Sequence, residues 1–260
     1  MTIFRKFLYF IPGIPGFIIL LWFFAIPEDL IKEKIEGAVL NAGSGNVSAS
    51  MTGFRKGLFI SLSADSLDLE VDRIPALKIS ELTCRFDPGY LTQRRVAFSI
   101  GGRIGTGAVN GLLTYPAEGE IKIDRAELNS IPYLSHLGIK SNGYISADIR
   151  TENNRTKIAF RIPDLAVQEA SALFPFIDTF HKVQGVLSLA GDSIKVESIS
   201  LEGEKGYARL TGDIINRAMD LKLELMPDAG KLTSLESMLI GKYQTAPGYY
   251  VIPVKGNFGQ

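Results

Sequence analysis

Residues Phe7 to Ile26 (FLYFIPGIPGFIILLWFFAI) form twenty consecutive positions without one charged side chain. As a helix rising about 1.5 Å per residue, this run spans roughly 30 Å, the hydrocarbon thickness of a bilayer. It is apolar on every face, unlike a surface helix, which carries a polar side. Pro12 and Pro15 loosen its first half, which a membrane helix tolerates when neighbours or water take up the freed carbonyls. Phe7, Ile11, Leu20, Trp22 and Ile26 are the expected anchor residues, with Trp22 and the phenylalanines beside it at the far interface. The apolar core exceeds the roughly 7–15 residues of a cleaved signal peptide, and no small-x-small site follows Trp22. A retained single transmembrane helix is expected. Arg5 and Lys6 precede it, and Glu28 and Asp29 are the first charges after it. The positive-inside rule then puts the N-terminus in the cytoplasm and residues 27–260 across the membrane.

Pro27 opens an amphipathic stretch, PEDLIKEKIEGAVLNA, with acidic residues at its start and Gly43 as its stop. Beyond it the hydrophobic period changes from 3.6 to 2. Val47, Ala49 and Met51 alternate with polar residues, as do Leu58, Ile60 and Leu62, then Leu67, Leu69 and Val71. Ile121 and Ile123, Ile145 and Ile149, Ile158 and Phe160, and Leu221 and Leu223 repeat the pattern down the chain. Each run reads as a half-buried strand with one apolar face. Short turn signals such as Glu152-Asn153-Asn154, Gly191-Asp192 and Asn216 separate the runs and make an antiparallel meander. Three segments read as helical interruptions: Leu128–Leu137, Leu165–Phe180 and Ala229–Leu239. Each leads to a glycine expected to open the next strand (Gly143, Gly185, Gly256), a loose repeat that points to an elongated sheet.

The expected fold is therefore mainly β: a single N-terminal transmembrane helix, then an elongated, curved antiparallel β-meander with a few short helices. The expected domains are 1–26 (tail and anchor), 27–42 (juxtamembrane helix) and 43–260 (β-rich), the last with soft halves 43–115 and 116–260.

Chemistry-bearing residues are scarce. The chain has 28 Lys+Arg against 28 Asp+Glu, two histidines and one cysteine. Zero net charge removes the basic surface that nucleic-acid binding needs, and one cysteine excludes an internal disulfide framework. The stretch Gly101-Gly102-Arg103-Ile104-Gly105-Thr106-Gly107 resembles a phosphate loop only in composition. The residues after it, Ala108 to Tyr115, read as a strand, whereas a dinucleotide loop opens a helix. His136 and His181 lack partners at zinc-site spacing; His181 suits a cation at a helix C-terminus. Cys84 reads as an apolar-site thiol. Asp65, Asp68, Glu70, Glu118 and Glu120 alternate with apolar residues and so solubilise strands. No catalytic, cofactor-binding or metal-ligating set emerges, and the chain is not expected to be an enzyme.

The order of anchor, amphipathic helix and long β-meander resembles protein N of the bacterial type II secretion system (the general secretion pathway N component) and the AsmA-like periplasmic proteins. The likeness lies in LIKEKIEGAVLNAGSGNVSASMTG, AELNSIPYLSHLGIKSNGYISADI and APGYYVIPVKGNFG. It implies an inner-membrane accessory component with its bulk in the periplasm, no catalysis, and other type II secretion proteins as partners. The AsmA-like alternative is an apolar β-groove that binds or transfers phospholipid acyl chains. Its lining would be Ile121, Ile123, Ile145, Ile149, Ile158, Phe160, Leu221 and Leu223, since an exposed apolar face marks a ligand or partner site.

Overall fold

The computed structural model describes residue 17 and residues 20–42, 45–116, 118–136, 138–169, 179–191, 193–228 and 230–257. Phe7 and Ile11 lie outside them. Leu20 to Phe24 are helical, and no helix among the described residues is long and apolar enough to cross a membrane. Helix α1 (Glu28–Ala42) comes next, with Glu28 and Asp29 at its positive end. It packs on strand β1 (Val47–Thr52), where the Glu36 carboxylate accepts the Met51 N–H at 2.7 Å.

The rest is mainly β. Strands β2 (Arg55–Gly57), β3 (Ser61–Val71), β4 (Ile74–Asp87), β5 (Val96–Ile104), β6 (Gly107–Tyr115) and β7 (Glu118–Glu127) come first. After them come β8 (Lys140–Asn142), β9 (Tyr144–Glu152), β10 (Arg155–Ile162), β11 (Ala166–Glu169) and β12 (Phe180–Ala190). The chain closes with β13 (Ser193–Gly203), β14 (Gly206–Ile215), β15 (Ala218–Pro227), β16 (Gln244–Ala246) and β17 (Tyr249–Asn257). Fifteen of these form one sheet in the order β1-β3-β4-β5-β6-β7-β9-β10-β12-β13-β14-β15-β17-β16, with β2 beside β3. Every pairing is antiparallel between near neighbours in sequence, as tight turns require. Asp72-Arg73, Asn153-Asn154 and Asn216-Arg217 all have positive φ at both positions, the backbone that matches strand twist in two-residue hairpins.

Four expectations need correction. The expected helix Leu165–Phe180 is strand at its described ends: Ala166–Glu169 is β11, paired with β8, and Phe180 opens β12; the rest of that expectation, residues 170–178, lies outside the described residues. His181 is consequently a strand residue rather than a helix-terminal cation. Leu58 and Ile60 do not belong to a strand with Leu62, because Leu58 to Ile60 form the turn between β2 and β3. The glycines do not mark a repeat, since Gly185 lies inside β12 and Gly256 near the end of β17. The other two helices are shorter than expected. Leu128–Leu137 divides into a 3-10 turn at Leu128–Ser130 and α2 (Pro132–His136), split where Pro132 lacks a donor. Leu137 and Ala229 are outside the described residues. The last helix, α3 (Ser234–Gly241), starts where the Thr233 hydroxyl accepts the Glu236 N–H and the Glu236 carboxylate returns to the Thr233 N–H.

Registers place the apolar residues on one face. Ile121 pairs with Ile149, Ile149 with Ile158, and Ile158 with Leu187; Leu210 pairs with Leu223, and Leu223 with Ile252. Register shifts beside Glu81 and Arg125, each at φ 53°, keep the alternation in phase, so that Ile123 and Ala126 share that face. Such bulges also increase local twist. The result is a coiled sheet. The Arg217 guanidinium donates to Asp72 at 2.6 Å, although β4 and β14 stand eight steps apart in the strand order. Laid flat at about 4.8 Å per strand, those turns would be roughly 40 Å apart. They also lie at opposite ends of the sheet, because chain direction alternates. Eight steps of roughly 20–25° turn the strands by about half a circle, which sets one strand's top level with the other's bottom, and the curl of the sheet brings the two together.

Candidate functional site

The eight residues expected to line a groove do share the apolar face, but the chain's own segments cover parts of it. Ile121, Ile123 and Ile145 pack on Ile104, Val109 and Ala126. Phe160 and Ile145 meet Leu128, Ile162 and Val183, with Ile131 and Leu134 from the segment between β7 and β9 laid over them. Leu221 is buried with Val196 and Ile214. Leu223 packs on Phe180, Ala208, Leu225 and Ile240, the last from α3. Ile149 and Ile158 are half-buried. An apolar cavity of about 20 Å³ remains beside Phe180, Gly206, Leu225 and Ile240, room for a water or two rather than an acyl chain. An open hollow of about 570 Å³ lies between Leu40, Asn46, Ser48 and Arg73.

The two sheet edges differ. At the first, β1 is flanked by α1. At the other, β16 pairs with β17 only at Tyr249 and Tyr250, and the Val251 N–H donates to the Tyr243 carbonyl at 3.0 Å. No strand among the described residues pairs with that side of β17 beyond this point. Outward backbone groups recur every second residue, so Pro253 and Lys255 face the same way as Val251. Proline there sacrifices no ladder bond, which is the edge-strand use of proline. Pro253 is a sequence signal of such an edge that the alternation pattern alone passes over.

The described end of the apolar run joins the sheet at β2. The Lys56 ammonium donates to the carbonyls of Trp22 at 2.9 Å, Phe23 at 3.2 Å and Ile26 at 2.5 Å. It lies 5.7 Å from the Trp22 ring centroid. A cation here serves the unpaired carbonyls and negative pole of a helix end. The Trp22 Nε1–H donates to the Gly57 carbonyl at 3.1 Å, and Glu28 accepts the Lys56 N–H at 2.9 Å. Leu20, Trp22 and Ile26 are thus the described part of the expected anchor.

Among the described residues no group of three His, Cys, Asp or Glu side chains could hold a metal. His136 stacks loosely on Tyr133, with ring centroids 6.4 Å apart, and burial pushes the Cys84 thiol upward. The strongest electrostatic perturbation is structural. The Lys205 ammonium donates to Glu236 at 2.6 Å and the Thr233 N–H donates at 2.7 Å, together holding its carboxyl down at about 2 from the ordinary 4.5. A depressed carboxylate contributes stability above its unfolded pKa and loses it as pH falls towards the folded value. Amide protection in α3 is therefore expected to decline between pH 4.5 and about 2. Hydrogen exchange corrected for intrinsic rates measures this. Glu236→Gln should abolish the pH dependence, and a decline of the same size in that variant would show that the Glu236 carboxylate is not its source.

No family model, curated protein or solved structure matches the chain.

Proposed function

We propose that this protein is an inner-membrane-anchored accessory component of a bacterial type II secretion system, acting in the periplasm through protein–protein contact. The observation that carries this reading is the outer edge of β17. An unpaired edge is a template for strand addition. Beyond Val251, a partner strand would meet the Pro253 carbonyl and the Lys255 backbone, while Pro253 and the Lys255 charge discourage indiscriminate pairing. The resemblance noted in the sequence supplies the secretion system; the edge supplies a way to join it. The apolar run from Phe7 to Ile26 supports an anchor that holds the sheet at the membrane surface.

The test is photocrosslinking in intact cells, followed by mass spectrometry, with photoreactive residues at Lys255, Phe160, Leu223 and Arg161. Adducts to inner-membrane secretion proteins or a secretin at Lys255 are expected. Phospholipid adducts at Phe160 and Leu223, with none at Arg161 on the polar face, would replace this reading with an acyl-chain groove.

A further inference from the structure

The antiparallel order puts six strand ends at one rim of the sheet: the end of β2 and the start of β3, the end of β4 and the start of β5, the end of β6 and the start of β7. This is the rim that receives the anchor, through Lys56 and Gly57. Its connections carry large apolar side chains in the open. Leu58 is 64% exposed and Phe59 72% at the β2–β3 turn, Leu91 is 51% exposed between β4 and β5, and Tyr115 is 72% exposed at the end of β6. The β2–β3 and β4–β5 tips are successive along the rim, and exposed apolar side chains so placed are of the kind that marks a binding surface. Arg55, Lys56, Arg94 and Arg95 stand within a few residues of these tips, with Arg55 and Arg95 paired to the exposed carboxylates of Asp65 and Glu118 and Lys56 to the carbonyls of Trp22, Phe23 and Ile26. Apolar tips backed by basic residues are the arrangement of a segment seated in the headgroup region of a bilayer. The next tip along the same rim, Asn153-Asn154, is polar.

The β2–β3 turn adds a conformational observation. Phe59 and Ile60 have φ of 56° and 55°, and a β-branched or bulky residue at positive φ is rare and strained. The strained turn aims Leu58 and Phe59 outward. Folding alone gains little from that exposure.

We propose that this rim is a second membrane contact, in which the β2–β3 and β4–β5 connections insert Leu58, Phe59 and Leu91 into the leaflet that the anchor leaves. The proposal rests on the membrane-anchored reading above. Its occupant is a lipid surface because the rim is continuous with the anchor: Trp22 and Phe23, at the end of the apolar run, bond directly to the β2 residues beneath the tip. With a helix and two loops fixed at one interface, the sheet holds a set orientation to the bilayer instead of swinging on a tether.

The test uses the full chain in a Cys84→Ala background, with an environment-sensitive fluorophore on single cysteines at Leu20, Phe59, Leu91 or Asn154. The protein is reconstituted into phosphatidylcholine–phosphatidylglycerol vesicles carrying nitroxide lipids at a shallow acyl position. Most of the emission is expected to be lost at the Leu20 site and at the Phe59 or Leu91 site, with the Asn154 site unaffected. Two independent loops keep the test informative if Phe59→Cys alters the strained turn. Quenching at Leu20 with none at either tip overturns the second contact and leaves the anchor standing. Quenching at Asn154 as well overturns the assignment of the contact to the apolar β2–β3 and β4–β5 tips. Absence of quenching at every site, Leu20 included, removes the anchored reading and the proposal with it.

Discussion

Ile104→Ala is expected to cost about 2–5 kcal/mol, the range for truncating a buried aliphatic side chain where the surroundings relax only in part. Ile104 is 1% exposed and is the one large side chain among the described residues in the most deeply buried class. It sits at the end of β5 and packs with Val109 and Ala126, and around them lie Leu77, Ile79, Ile121, Ile123 and Ile145. Those residues come from β4, β6, β7 and β9, so a cavity there loosens five strands together. Much of the apolar face is only half-buried, and Leu223→Ala should cost less because its atoms already meet water in part. The total stability of a domain is about 5–15 kcal/mol, which makes the Ile104 loss a large share of it. Urea unfolding of the full chain in detergent, followed by far-UV circular dichroism, should show a lowered midpoint at unchanged slope. Equal midpoints for the two variants would disprove the ranking.

Gly212→Val is expected to be as damaging by a different route. Gly212 has φ +135°, and a Cβ there would fall 2.3 Å from the Asp220 carbonyl oxygen and 2.8 Å from the Leu221 Cα. Both are backbone atoms of the paired strand β15 and cannot swing aside. Overpacking costs roughly 1–3 kcal/mol, and an ill-favoured backbone conformation roughly the same again. Gly191→Ala is the control. It also has positive φ (+57°), but nothing lies within 4 Å of its added Cβ, so backbone strain acts alone. The same unfolding measurement separates them. A Gly212→Val midpoint no lower than that of Gly191→Ala would show that β14 and β15 can part without penalty.

The meander was legible because period-2 alternation is a direct consequence of burying one face of a sheet. Runs such as Ile145-Ser146-Ala147-Asp148-Ile149 leave little room for another fold. Helices were less legible, because short segments answer to tertiary pairing more than to their own propensity. Ala166–Glu169 belongs to a segment that reads as helix, yet the β8 edge recruits it as a strand. Residues Leu58 to Ile60 alternate as a strand does, but the direction of the chain reverses there. Sequence placed the eight apolar-face residues on one side through alternation alone. It could not show that Ile131, Leu134 and Ile240 fold back over them, because those contacts depend on how loops return across the sheet. The edge at β17 had a local signal in Pro253. The rim tips had none until strand order put them side by side.

The contact between Asp72 and Arg217 does not hold the sheet together. Both side chains are partly exposed, and pairs of this kind contribute about 0–1 kcal/mol. What matters is the altitude that it records. On the membrane-bound reading, the tips of β2–β3 and β4–β5 are ground level, and Asp72 stands at the far end of the 11-residue strand β3, roughly 35 Å up at about 3.3 Å per residue. The half-turn brings the foot of β14 and β15 to that storey. The last residues of β17, alongside them, then face outward at about the same height. On that reading a partner meeting that end of the edge need not approach the lipid headgroups at all, and the protein would act as a mast that carries its docking strand clear of the bilayer.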